Sequence, residues 1–389
     1  MQAKKNTAMN LSYIINQLGE DRELYYNAVS PPVIQTSNFS FKTVREMKEA
    51  FTDEKKYRLY TRGNNPTTEM LCKKLAALEN TEDCLVLSSG AAAISVAVIS
   101  QLKAGDHVVC VNHPYSWAYH LFTIILKRFD ITVTFIDGSR TEHFQNAIQV
   151  NTAMFYLESP STFYFELQDL KQVCDLAKSK NIITLIDNSY SSPLGQQPSD
   201  YGVDLVIHSA TKYINGHSDV VAGIICGKNA VIKKIYHSEF LNFGAVSSPV
   251  NSWLMLRALR TLPLRIKQSS ETTQQLVAWL HNHPKVARMH YPFHSSHPQH
   301  ELANRQMKIP MGLFSIELKT ESEAAIIRFC ETLKYFLIAV SWGGHESLIL
   351  PCCAFAEGSA YPFNMVRFYI GLEEADVLQR DIEQALAVV

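Results

Sequence analysis

Short apolar runs separated by longer amphipathic stretches set the rhythm of this chain from about Met70 onward. The runs Cys84 to Leu87, His107 to Asn112, Ile131 to Ile136, Ala153 to Glu158, Ile182 to Asp187, Leu205 to His208 and Val221 to Cys226 have the length of strands. Between them, Met70 to Leu78, Ala91 to Leu102 and Leu167 to Lys178 read as helices. Strands that alternate with helices need crossover connections, so the pattern predicts an α/β fold with a mostly parallel sheet. Ligands of such sheets collect beyond the carboxyl ends of the strands.

Either side of this region the pattern changes. The first 60 or so residues are mixed, and Pro31 and Pro32 break any long helix, so 1–60 reads as an arm. A long helical stretch is predicted from Pro249 to about Leu280, ending at His283-Pro284. Beyond it, apolar segments at Leu313 to Leu318 and Phe336 to Val340, with helices near Glu323 to Leu333 and Ala375 to Leu386, predict a smaller α+β domain. The expected division is an arm at 1–60, a large domain at 61–250 and a C-terminal domain at 251–389. No internal repeat, low-complexity tract or Gly/Ser linker interrupts it.

At 389 residues the chain is long enough for two domains, and 47% hydrophobic against 19% charged residues is an ordinary globular balance. Lys and Arg total 36 against 37 Asp and Glu, so no global field recruits nucleic acid or an anionic membrane, and an anion must be caught by a local site. The segment Met1 to Glu20 carries Lys4 and Lys5 without the apolar run of a secretory signal, and no stretch of about 18 apolar residues follows. Eight scattered cysteines with no Cys-x-x-Cys pair agree with a soluble cytoplasmic protein. His294, His297 and His300 have a spacing compatible with a metal, but Pro292 and Pro298 put them in a loop without a carboxylate cluster, and no metal site is expected.

Chemistry concentrates at three strand ends. The run Ile182 to Ile186 ends on Asp187, and Leu205 to His208 empties into Ser209-Ala210-Thr211-Lys212. A carboxylate and an amine so placed are what pyridoxal phosphate requires: the amine condenses with its aldehyde, and the acid keeps its ring nitrogen protonated. Ser88-Ser89-Gly90 stands between a strand and the helix expected from Ala91, where free backbone amides and the helix dipole suit a phosphate. Ser209 and Thr211, two apart on an extended segment, face the same side.

Written out, Ile186-Asp187-Asn188-Ser189-Tyr190 and Ser209-Ala210-Thr211-Lys212-Tyr213-Ile214-Asn215-Gly216-His217-Ser218-Asp219 resemble the Cys/Met-metabolism family of pyridoxal-phosphate enzymes. The resemblance runs from about Pro31 to the C-terminus. It implies the aspartate aminotransferase-like fold, type I, of the pyridoxal-phosphate-dependent transferases.

It also implies roles for particular residues. Ser89, Gly90 and Ala91 stand where the family binds phosphate with Ser-Gly-Met, Ala91 replacing Met; Ser209 and Thr211 match its hydroxyl ligands. Tyr60 and Arg62, in Tyr60-Thr61-Arg62-Gly63-Asn64-Asn65-Pro66-Thr67, match a pair that reaches the neighbouring subunit's phosphate, so at least a homodimer is implied, and a homotetramer by the family's pairing of dimers. Tyr115 matches the tyrosine that stacks on the ring, and Ser116-Trp117 lacks the Gly-Cys usual in methionine γ-lyases. Glu158-Ser159-Pro160 is followed by Ser161-Thr162 where many members carry an asparagine. Arg367 matches the arginine that clamps the substrate α-carboxylate, and Ser341-Trp342-Gly343-Gly344-His345-Glu346-Ser347-Leu348-Ile349 resembles the β-lyase form of the segment.

These matches imply a carbon-sulfur lyase of trans-sulfuration and methionine biosynthesis, with β-elimination of L-cystathionine to homocysteine, pyruvate and ammonia as the expected reaction. Lys212 is the expected base, Tyr115 a second proton carrier, and Ser341, Trp342, Tyr115 and Arg367 the substrate contacts. The same parts suit a cystathionine γ-lyase, a γ-synthase or a methionine γ-lyase. The departures at Ala91, Ser116-Trp117, Thr162 and Ile309-Pro310-Met311 would also suit a cofactor-binding protein without catalysis.

Overall fold

The computed structural model describes residues 10–355 and 359–389, so the stretch carrying Lys4 and Lys5 lies outside the described residues. Seven strands form one sheet: β1 (Asp83–Leu87), β2 (His107–Val111), β3 (Thr132–Ile136), β4 (Thr152–Glu158), β5 (Ile183–Asp187), β6 (Leu205–Ser209) and β7 (Gly223–Gly227). Their order is β1-β7-β6-β5-β4-β2-β3. The pairings among β2 to β6 are all parallel, and only β7 runs against its neighbours. Both faces are covered: Val109, Phe155 and Ile186 are buried on one side, Val108, Met154 and Leu185 on the other. Double burial is why these strands, the edge strand β3 apart, read as unbroken apolar runs rather than alternating ones.

Five more strands build a smaller sheet, β8 (Val286–His290), β9 (Leu313–Leu318), β10 (Leu337–Ile338), β11 (Leu348–Pro351) and β12 (Met365–Tyr369), ordered β10-β11-β12-β9-β8. The fold is thus the expected α/β one, a mainly parallel large sheet with a second, smaller sheet domain.

Local signals place the helices. Asn65 accepts the Thr67 amide at 3.0 Å and Pro66 takes the first helical position, so the helix expected from Met70 begins at Pro66 and runs to Leu78. The long stretch from Pro249 is two helices, not one: Pro249–Leu259 and Leu262–His281, divided at Arg260-Thr261. Pro263 explains the break, because a proline ring cannot continue a helix but fits the first turn of a new one. Of the segment Phe336 to Val340 only Leu337–Ile338 pairs as a strand. Arg367, which could have sat on an edge strand, lies on β12 at the middle of the smaller sheet.

Candidate active site

Three adjacent parallel strands deliver the polar groups. Glu158 ends β4 and pairs in register with Asp187 at the end of β5, while β6 ends on Ser209, beside Asp187's partner Ile207. Ser209 donates its amide to Ser189 Oγ at 2.6 Å, and Ser189 donates its hydroxyl and amide to Asp187 Oδ1 at 2.5 and 2.9 Å. This relay fixes the carboxylate relative to the loop that carries Lys212.

Facing the strand ends is the start of the helix Gly90–Ile99. Ser89 Oγ accepts the Ala92 amide at 3.0 Å, and the Ala93 amide bonds to Ser89 O. The amides of Gly90 and Ala91 have no acceptor among the described residues, as a helix start requires. The approach is close enough to demand glycine twice. A Cβ on Gly90 would lie 2.9 Å from Ser209 Cβ, and one on Gly223 would lie 2.1 Å from Ser89 O.

These elements open into a cavity of about 580 Å³. It brings together Ser89, Gly90, Ala91, Tyr115, Asp187 and Ser209 with Thr211, Lys212, Ser341, Trp342 and Arg367. Tyr60 and Arg62 are outside it. Both lie near the surface, the guanidinium 5.6 Å above the Tyr60 ring, and Arg62 lines a separate hollow. Thr211 lines the cavity, but its hydroxyl is engaged with Ala222, accepting the amide at 3.0 Å and donating to the carbonyl at 3.2 Å.

Lys212 donates Nζ to Ser341 Oγ, and Nζ lies 5.4 Å from the centre of the Trp342 ring. Burial, and then the Arg367 charge, bring its pKa down to about 8 against the pull of Asp187. Ser341 holds φ at +88°, a left-handed value unusual for a residue with a side chain. Arg367 is 7% exposed, and burial lowers it to about 10.

Two buried carboxyls share the cavity. Burial raises Glu158, and the Asp187 charge raises it further, although Glu158 accepts the Tyr115 amide at 2.8 Å. Burial also raises Asp187, but the Ser189 hydrogen bonds and the fields of His208 and Lys212 oppose it. Two like charges this close cannot both be cheap, and the better-supported anion is Asp187. Burial and both carboxylates push the Tyr115 phenol above its usual range.

Sequence reasoning missed several contributors. Glu158 carries the same signal as Asp187, a carboxylate closing an apolar strand. Phe163 and Tyr361, which line the cavity with rings 4.3 Å apart, come from segments nearly 200 residues apart and share no local pattern. His208 and Glu79 form a fully buried pair behind the strand ends. No group of three or more histidines, cysteines or carboxylates suited to a metal occurs among the described residues.

The family described as Cys/Met metabolism PLP-dependent enzyme matches residues 13–387. An L-methionine γ-lyase of Fusobacterium nucleatum subsp. polymorphum is 35% identical over 93% of this chain and 94% of its own. A cystathionine β-lyase of Coxiella burnetii is 32% identical over 99% of this chain and 100% of its own. The solved cystathionine γ-synthase of Xanthomonas oryzae pv. oryzae, in complex with aminoacrylate and cysteine, superposes with a TM-score of 0.91 at 32% identity, covering 98% of this chain and 99% of that one.

Proposed function

We infer that this chain, which belongs to the Cys/Met metabolism PLP-dependent enzyme family, is a carbon-sulfur lyase that cleaves L-cystathionine by β-elimination to homocysteine, pyruvate and ammonia. The residues present fit pyridoxal phosphate. The unfilled amides of Gly90 and Ala91, with the nearby hydroxyl of Ser209, suit its phosphate, Asp187 its ring nitrogen, Tyr115 its ring face and Lys212 its aldehyde. When bound, pyridoxal phosphate supplies an aldehyde that captures amines and a ring that accepts electrons from a carbon losing its proton.

The chain's own groups do the rest. Arg367 holds the α-carboxylate through a forked contact and so orients Cα. Lys212, with a pKa near 8 and Nζ inside the cavity, takes the Cα proton near neutral pH and returns it to the departing sulfur. Of the two buried carboxyls, Asp187 is the one whose anion the Ser189 hydrogen bonds support.

The choice of β-elimination is supported by one observation, the tether of Lys212 to the Ser341 hydroxyl beside the Trp342 ring. γ-Elimination needs a further proton transfer at Cβ, and an amine tethered to Ser341 is less free to make it. The 35% identity to a methionine γ-lyase favours γ-chemistry as the second reading. Cystathionine γ-lyase and γ-synthase activities belong to that alternative. Purified protein supplied with pyridoxal phosphate and L-cystathionine should release pyruvate. Release of 2-oxobutyrate alone overturns the β reading.

The same proposal carries a homodimer at least, supported by Tyr60 and Arg62 lying outside the cavity of their own chain, and a homotetramer by the resemblance to the family alone. It carries the division at 1–60, 61–250 and 251–389, supported by the two sheets, whose strands fall within 83–227 and 286–369. A cytoplasmic setting is supported by all eight cysteines being free thiols. No helix among the described residues is long and apolar enough to cross a membrane.

A further inference from the structure

Arg367 is a buried cation with no carboxylate in ion-pair range among the described residues. Its hydrogen bonds go to two neutral oxygens, Thr162 Oγ1 at 3.2 Å and Ser341 O at 3.4 Å. A guanidinium has five donors, and these two bonds leave the others without a partner among the described residues, on the wall of the cavity that Arg367 lines. What faces it is a ring: Cζ lies 4.8 Å from the centre of Phe163. That distance is well inside cation-π range, and Phe163 is only 5% exposed, so the attraction acts with little water to weaken it.

The placement of this ring is not relaxed. Phe163 holds φ at +64°, in the left-handed region that a bulky side chain avoids, and Phe165 holds +55°. Tyr361 packs against Phe163 with ring centres 4.3 Å apart, and Phe355 meets it edge-on at 5.6 Å. The surrounding aromatic cluster keeps a strained residue under the guanidinium.

We propose that Phe163 is a positioning residue for Arg367, its π face holding the guanidinium where another protein would use a carboxylate, so that the charge is fixed in place yet uncompensated until a substrate carboxylate arrives. An acid in this position would hold the arginine more firmly. It would also neutralise it, and every substrate would have to displace it. A ring quadrupole attracts the cation without occupying its donors. The inference rests on the reading of Arg367 as the carboxylate anchor.

The test is calorimetric titration of the cofactor-loaded protein with glycine and with glycinamide, which share the amine and differ in the carboxylate. In Phe163→Leu, which keeps apolar bulk, glycine affinity should fall roughly five- to thirtyfold while glycinamide affinity changes less than about twofold. Replacing Phe163 with 3,4,5-trifluorophenylalanine keeps the shape, weakens the π face and should move glycine affinity in the same direction, even if the leucine variant fails to fold. Equal weakening of both ligands, or unchanged glycine binding in the fluorinated protein, overturns the proposal. Arg367→Lys separates the two failures. If that variant binds glycine as tightly as the parent, the anchor reading itself falls and takes this inference with it; if it loses glycine while the Phe163 variants do not, only the role of Phe163 is lost.

Discussion

Glu158 and Asp187 are register partners at the carboxyl ends of β4 and β5, two buried carboxyls directed into one cavity. Because burial and the neighbouring charge raise Glu158, the folded protein binds its proton more tightly than the unfolded chain does. A group with a raised folded pKa contributes stability that is full below its unfolded value and is lost as pH rises through the folded one. The cofactor-free protein should therefore lose thermal stability as pH climbs from the ordinary glutamate range towards and past neutrality. Glu158→Gln, which keeps the shape without a titrating proton, should flatten that slope. Melting curves from pH 5 to 9 check this, and a variant with the parental slope contradicts it.

Lys212 offers a direct readout of its own environment. Burial and Arg367 hold its pKa near 8, so in the cofactor-free protein its amine should acylate with a midpoint about two units below that of solvated lysines. Arg367→Met removes the second of those causes and should move the midpoint upward. Peptide mapping of a limiting acylating reagent across pH measures both. Lys212→Ala should lower cystathionine turnover by about 10² to 10⁴.

How much of this was legible follows from what local pattern can carry. Strands β1, β2 and β4 to β7 are buried on both faces, and such runs announce themselves as apolar blocks, whereas the edge strand β3 is only partly covered. Asp187, Ser209 and Lys212 were legible because they terminate those blocks. The smaller sheet was harder to see. Strand β11 is four residues ending in Pro351, β10 is two, and β12 carries a buried arginine that breaks its apolar run. Phe163 under Arg367 was invisible for another reason: the contact spans more than 200 positions, and a left-handed φ at phenylalanine leaves no mark in composition.

Arg367 should show a trade between stability and function. Among the described residues it is buried without a counter-anion, so Arg367→Met removes a charge with no ion-pair partner there while keeping an unbranched apolar stem. The expected result is a thermal midpoint raised by about 2–4 °C together with loss of carboxylate binding. A variant that is both less stable and still able to bind glycine contradicts the assignment.

Ser341 sets a smaller version of the same trade. Its φ of +88° costs on the order of 1 kcal/mol that glycine would not pay, yet its hydroxyl receives the Lys212 hydrogen bond. Ser341→Gly should leave thermal stability equal or slightly higher and shift the Lys212 acylation midpoint. An unchanged midpoint would mean that the hydroxyl does not act on the amine.

The shared-site proposal makes the sharpest demand on the chain. Tyr60 and Arg62 lie outside the cavity that contains Lys212, so a complete phosphate site should need Lys212 from one subunit and Arg62 from its neighbour. Arg62→Ala and Lys212→Ala, each nearly inactive alone, should then complement when unfolded together and refolded as a mixture. Random pairing makes half of the dimers mixed, and in each mixed dimer one of the two sites receives an intact lysine and an intact arginine. Activity should recover to about a quarter of the parental level. If both residues instead served a site within one chain, no mixed dimer would hold an intact site, and activity would stay at the level of the separate variants.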